Sequence, residues 1–278
     1  MAFSLSRRTL LGAGTAFGVT ALSGGEASAD ELSPDPYLPT APHVIEAEQF
    51  ANYLNLPECP RTNNNYKDDG TPNILTWGTP GQPSTWFNQS QCASFLTGLL
   101  RHTYPAVATE EYYRTYFGSV SPNARDYRRV FAGPAVPHWT PITKVTDLRA
   151  GDLIAIDYQN NQPTQTGHIV MVRRIKGTYV APSPTLNFPG EIQYAIEIID
   201  CTSDPHGVLG VGNYYVYPDI RLIDGVNDRE GVGFGHMMFY ASTSTGVFSR
   251  YRWSVNSSSA NTYTVAQRPI AAARFSPA

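Results

Sequence analysis

The chain has 278 residues, of which 15% are charged and 12% aromatic, and its formal charge is −3. That mildly acidic balance provides no electrostatic footprint for nucleic acid and no basic patch for anionic lipid. No internal repeat or low-complexity tract interrupts it, and the 17 tyrosines suit a polar-aromatic surface that holds sugars or peptides.

Residues 1–29 read as an export signal. Ser6-Arg7-Arg8-Thr9-Leu10-Leu11 is a twin-arginine pattern, a weakly apolar stretch follows to Leu22, and Ala27-Ser28-Ala29 supplies the small-x-small cleavage signature. The apolar stretch is too short, and too rich in Gly and Thr, to span a membrane. Cleavage before Asp30 removes Arg7, Arg8 and Glu26, taking the formal charge from −3 to −4. The expected product is secreted or periplasmic, exported by the twin-arginine route and without an integral membrane segment.

Residues 30–75 form an N-terminal extension. It begins as a proline-rich tether to residue 42 and continues as a short amphipathic helix over 43–54, with helix-compatible spacing at Val44, Ile45, Ala47, Phe50, Ala51 and Leu54. A polar, turn-prone loop then covers 57–72. The main domain, 76–278, opens with a helix over 92–101 that carries Phe95, Leu96, Leu99 and Leu100 on one face and stops before Pro105. A helical insertion around 105–145 adds short helices at 110–117 and 124–131.

Beyond it the pattern turns to strands: 153–156, 169–175, 194–199, 214–217, 237–240 and 263–274, the last weakened by Pro269. Most are apolar on both faces, which suits strands covered on each side. Helices first and strands afterwards give an α+β class, with an antiparallel sheet against the helix that bears Cys92.

Cys92 follows the polar run Asn88-Gln89-Ser90-Gln91 and begins the helical pattern. A helix N-terminus favours a thiolate, and its unpaired N–H groups can receive an oxyanion. His168 stands at the mouth of an apolar strand after a loop-like stretch, where a base can meet both a neighbour and a substrate. Asp200 closes the strand run that begins at Tyr194, on the face of Ile196 and Ile198, and a carboxylate there needs a partner such as His168. Each has a plainer alternative: a buried structural cysteine, a turn histidine, and an aspartate capping the Thr202-Ser203-Asp204 turn.

Gln89 and Gln91 are candidate oxyanion donors or simple caps. His206 is a rival orienter or a substrate-binding group. His236 follows Gly231-Val232-Gly233-Phe234-Gly235, read as hairpin geometry before a strand. Asp204, His206 and His236 match no metal-ligand spacing, and no cofactor motif is present, so neither a metal nor a cofactor is expected. Of the three cysteines, a Cys59–Cys201 disulfide leaves Cys92 free, whereas either pairing of Cys92 abolishes its chemistry. All three can equally stay reduced.

Cys92-Ala93-Ser94-Phe95, then Arg149-Ala150-Gly151-Asp152-Leu153, then Gly167-His168-Ile169-Val170 resembles the NlpC-type papain-like cysteine peptidase superfamily, which includes the CHAP amidases. The resemblance covers roughly residues 77–204 and implies a papain-like fold of N-terminal helices on an antiparallel sheet. It implies Cys92 as nucleophile, His168 as general base and Asp200 as the third, polar residue. The implied reaction is hydrolysis of an amide, typically in peptidoglycan peptides, through an acyl-enzyme. Two departures stand out: many wall endopeptidases have histidine in the third position, and the tyrosine that often precedes the family cysteine is replaced by Trp86 and Phe87 as the nearest aromatics. A non-catalytic wall- or glycan-binding module on the same fold, and an acyl transferase, are the alternatives.

Overall fold

In the first ordered helix, α1 (Pro42–Asn55), proline occupies the first turn, where its missing N–H costs nothing. The computed structural model describes residues 41–160, 165–225 and 228–277. The expected export signal and nearly all of the tether lie outside them. α1 buries Val44, Ala47, Phe50, Ala51 and Leu54 of the stripe expected from its spacing, whereas Ile45, one residue round from Val44, faces solvent. Among the described residues, no helix is long and apolar enough to cross a membrane.

A three-stranded sheet follows, built from β1 (Asn64–Tyr66), β2 (Ile74–Thr76) and β3 (Phe87–Ser90), with β3 central, parallel to β1 and antiparallel to β2. These strands are short and polar, and β1 falls in what the composition suggests is a loop. β3 runs through Gln91 into α2 (Cys92–Thr103), which buries Phe95, Leu96, Leu99 and Leu100 and is followed by the C-cap Tyr104 and then Pro105. α3 (Glu110–Phe117) is capped by Thr109, whose hydroxyl accepts the Tyr112 N–H at 3.1 Å. α4 (Ala124–Phe131) has a reciprocal Asn123–Asp126 capping box.

The remaining strands are β4 (Trp139–Ile142), β5 (Leu153–Asp157), β6 (Gly167–Thr178), β7 (Glu191–Thr202), β8 (Gly231–Ser242), β9 (Phe248–Arg252), β10 (Thr262–Thr264) and β11 (Ile270–Phe275). They form one antiparallel sheet in the order β10-β9-β8-β7-β6-β5-β11-β4. The α+β class expected from the order of elements is therefore present. One face, carrying Leu153, Ala155, Ile169, Met171, Ile199 and Val232, packs on the helices. The other carries Ile154, Ile156, Val170, Val172, Ile196, Ile198 and Phe239.

Among the described residues no helix covers that second face; the sheet covers it by curling on itself. Lys144, after β4, bridges Val247, before β9, and the Val145 N–H bonds the Gly246 carbonyl at 3.1 Å, so the two ends of the sheet meet. Strands apolar on both sides are thus satisfied by helices on one side and by their own sheet on the other.

Two strand expectations need correction. Residues 214–217 are a short 3₁₀ turn and its exit, not a strand. Tyr214 is the only buried residue there, its hydroxyl donating to the Asp219 carbonyl at 2.9 Å, while Tyr215 and Val216 face solvent. The glycines at 231, 233 and 235 are not a hairpin turn but lie inside β8, where Gly233 pairs with Asp200. The stretch 263–274 divides at Pro269 into β10 and β11.

Gly167, which opens β6 beside Asp157, has a sharper requirement. A Cβ at that position would collide with the Ile156 carbonyl oxygen, which belongs to backbone and cannot move away. Gly167→Ala is expected to destabilise the fold by about 2 kcal/mol or more, read as a lowered urea midpoint. An unchanged midpoint would show that β5 and β6 do not approach this closely.

Candidate active site

Cys92 is placed by the β3–α2 junction. Asn88 and Ser90 alternate inward on β3 against the Cys201 thiol, and the Gln91 N–H bonds the Ser94 hydroxyl at 2.9 Å. The chain therefore enters the helix at Cys92, whose own N–H has no helical acceptor before it. Both other thiols are structural. Cys201 is fully buried with its pKa pushed up to about 12, chiefly by burial, and Cys59 is buried in the core, where loss of solvation pushes its thiol up as well. All three cysteines are free, which leaves Cys92 unpaired by any disulfide.

His168 is the second residue of β6, and Asp200 lies on the same face of the neighbouring β7. His168 Nε2 is 2.8 Å from Asp200 Oδ2, so Nδ1 is the ring nitrogen left to face Cys92. Burial of the imidazole disfavours its charged form. The adjoining Cys92 sulfur and the Asp200 carboxylate outweigh that loss and push the His168 pKa up to about 9. The three residues singled out by sequence reasoning are thus brought together from a helix start and two adjacent strands.

Asp200 is wholly buried and holds more than His168. His206 Nε2 approaches the same Oδ2 at 3.0 Å, and Arg221 Nη2 lies 2.9 Å from Oδ1, an ion pair off the hydrogen-bond axis. Burial alone would raise the Asp200 pKa; the Arg221 and His206 side chains and the His168 bond hold it well below the usual carboxylate range. Arg221 is itself gripped by Asp219, through Nε to Oδ1 at 2.9 Å and Nη2 to Oδ2 at 2.7 Å. Asp219 Oδ2 also accepts the His206 N–H at 2.8 Å.

The β8 glycines make room for this layer. A Cβ at Gly233 would press on the Arg221 side chain at 2.8 Å, and one at Gly235 on Asp219 Oδ2 and His206 at 2.5 and 2.7 Å.

His206 is therefore a partner of Asp200 rather than a substrate contact: it is fully buried, and Nδ1 faces the Trp253 carbonyl at 2.7 Å. The Trp253 ring packs on both imidazoles, 4.7 Å from His168 and 4.1 Å from His206 between centroids. His168, Asp200 and His206 offer three ligand atoms within 4.8 Å of one another. Both imidazole nitrogens converge at hydrogen-bond distance on a single carboxylate oxygen, an arrangement that the proton chemistry accounts for by itself. His236, buried in β8 with Nδ1 on the Pro218 carbonyl, takes no part, and burial pushes its pKa down to about 4.

A cleft of about 800 Å³ is lined by His168 and by Gln91, the residue before Cys92; Cys92 itself is buried and is not among the lining residues. Gln91 Nε2 lies 3.2 Å from Asp69 Oδ1, so this amide is already engaged. Gln89 points elsewhere, donating to the Pro72 carbonyl at 2.9 Å, and is not in the cleft. Trp86 is buried under Tyr53 and is not in the cleft either. The aromatics beside Cys92 are instead Tyr66 from β1 and Tyr158 after β5. Both phenols are pushed up by burial, with the charge at Cys92 adding to it. Tyr66, Asp219, Arg221 and Trp253 were not singled out in the sequence; Arg221 stands in a loop that also holds Asp219, Asp224, Asp228 and Arg229, so its charge alone marked nothing.

No protein-family model and no solved structure matches the chain. Among curated proteins, an uncharacterized protein of Acanthamoeba polyphaga mimivirus is 26% identical over 214 residues, covering 74% of this chain and 86% of the viral one.

The raised His168 pKa has a consequence for stability. The free imidazole titrates near 6.5, so the folded state's preference for the proton stabilises it fully below about pH 6.5 and is lost as pH rises through about 9. The stability difference between wild type and His168→Gln, from urea unfolding, is expected to narrow between pH 6.5 and 9.5. A constant difference would mean that His168 is neutral in the fold at pH 7.

Proposed function

We propose that the chain is a cysteine hydrolase of the NlpC-type papain-like class, cutting an amide in a peptide or peptidoglycan fragment after export by the twin-arginine route. The observation that carries this reading is the meeting of Cys92, at a helix start, with a buried imidazole whose other nitrogen is fixed by Asp200. A structural cysteine needs none of these neighbours, as Cys59 and Cys201 illustrate.

In this mechanism the Cys92 sulfur attacks the amide carbonyl carbon while the Cys92 backbone N–H receives the developing oxyanion. The His168 imidazolium then protonates the departing amine, and the C–N bond breaks to leave a thioester. Neutral His168 takes a proton from water, whose oxygen attacks the thioester carbonyl. Collapse of that adduct returns the proton to sulfur or imidazole and frees the acid. Asp200 keeps His168 in the tautomer and orientation that each transfer needs, and His206 with Arg221 holds Asp200 in place.

Iodoacetamide is expected to label Cys92 of the native protein at pH 7 well before Cys59 and Cys201, with the modified residue located by mass spectrometry. His168→Ala should remove that selectivity. An inert Cys92 would favour a non-catalytic binding module. Given a cleaved wall fragment, Cys92→Ser abolishes turnover, and full retained activity overturns the mechanism. Asp200→Asn lowers kcat by several decades with the fold retained. His206→Gln, which leaves the Asp200–His168 bond in place, costs less than Asp200→Asn. The reverse order would make His206 the principal orienter.

A further inference from the structure

Arg268 occupies the wall of the same cleft with chemistry that the proposed reaction does not use. It lies on the segment joining β10 to β11, where the curled sheet returns toward β5. Its guanidinium carbon is 3.5 Å from the Tyr263 ring centre and 4.2 Å from that of Tyr158, and Nη1 donates to the Tyr251 hydroxyl at 2.9 Å. No carboxylate among the described residues pairs with it.

Its tyrosine partners fix the guanidinium plane through ring faces and one hydroxyl, which occupy a single N–H. The side chain is half-buried and lines the cleft, so its other N–H groups remain as a preformed fork. A planar fork of this kind matches a carboxylate in two-point geometry and loses little rotamer freedom on binding.

We propose that Arg268 is a substrate-binding residue that receives a carboxylate of the substrate, so that the amide cut at Cys92 belongs to a peptide-like molecule bearing a free acid near the scissile bond. This rests on the proposed function of Cys92. The rest of the lining narrows the class further. Asp68, Asp69, Asp204 and Glu230 share the cleft with Lys67, whose ammonium donates to the Asp68 carbonyl at 3.3 Å beside those acids, so Arg268 is the lining cation that aromatic partners hold in a fixed orientation. A singly charged carboxylate meets less repulsion from those acids than a phosphate ester does. The same acids suit a cationic amine elsewhere on the substrate, which makes a zwitterionic peptide the best electrostatic match.

The test is protection of Cys92 from iodoacetamide by acetyl-Ala-Ala, compared with its C-terminal amide. In the full mature protein the free acid is expected to protect at about a tenfold lower concentration than the amide, equivalent to one charge-assisted contact. Arg268→Gln should erase that difference while leaving the unprotected alkylation rate within about twofold. Arg268→Lys, which keeps the charge and loses the fork, should fall between, and it replaces the glutamine variant if the latter fails to fold.

Equal protection by acid and amide, protection by neither, a difference that persists in Arg268→Gln, or stronger protection by inorganic phosphate would each overturn the assignment. Failure of Cys92 to alkylate at all would instead overturn the hydrolase reading on which it rests. A guanidinium that only fastens the sheet would alter melting temperature without any acid-over-amide preference.

Discussion

Burying the Asp200 carboxylate without solvent exposure is the demand around which the second half of this chain is organised. A lone buried carboxylate is too costly to survive as an anion. Here three cationic or donor groups answer it: Arg221 on one oxygen, His168 and His206 on the other. None of them belongs to β7, so the carboxylate draws in β6 and the long connection from β7 to β8. That connection can lie flat on the sheet because β8 presents glycines beneath Arg221 and His206. Buried ion networks rarely raise net stability over an apolar packing of the same volume. Their physical return is positional: moving any member leaves another unsatisfied, so the imidazole that faces Cys92 has little freedom to turn.

The curl of the large sheet sets that fixed, buried imidazole in the wall of the cleft. Closure through Lys144–Val247 and the β10–β11 segment brings Tyr251, Trp253 and Arg268 round to the side on which His168 stands. The three-stranded sheet supplies the opposite wall through Tyr66 and the residues after it. The cleft is therefore a boundary between two sheets, with the Cys92 helix starting where the smaller one ends. Trp253 at the boundary packs against both imidazoles, shielding their bonds to Asp200 from water that would otherwise compete for them.

The parts of this arrangement visible in the sequence share a physical character. α2, α3 and α4 announce themselves through 3.6-residue periodicity, local caps and the break at Pro105, all of which act within a few residues. β5 to β8 announce themselves as long apolar runs, and their double-sided character forecasts cover on both faces without saying that the sheet itself supplies one of them. Cys92, His168 and Asp200 were legible because each stands where a regular element begins or a polar residue interrupts an apolar face. β1 to β3 were not, since three or four polar residues take strand form only through pairing. Arg221 and Asp219 were equally hidden, because their significance lies in a contact with Asp200 some twenty residues away. Gly233 and Gly235 carry the same lesson: in sequence they look like a turn, and only the side chains lying over them explain why a central strand contains them.

Charge bookkeeping over the buried cluster closes the argument about the pair at the centre. Asp200 and Asp219 contribute two negative charges and Arg221 one positive, so with both imidazoles neutral the cluster carries a surplus of one negative charge in a region of low polarisability. A proton on His168 removes that surplus, and the adjoining Cys92 sulfur together with the Asp200 carboxylate pushes the His168 pKa up to about 9 against the burial that would drive it downward. The cluster thus favours imidazolium before any substrate arrives. Replacing Arg221 would unbalance the cluster in the opposite sense to replacing Asp219, and both effects would reach His168 through its hydrogen bond to Asp200.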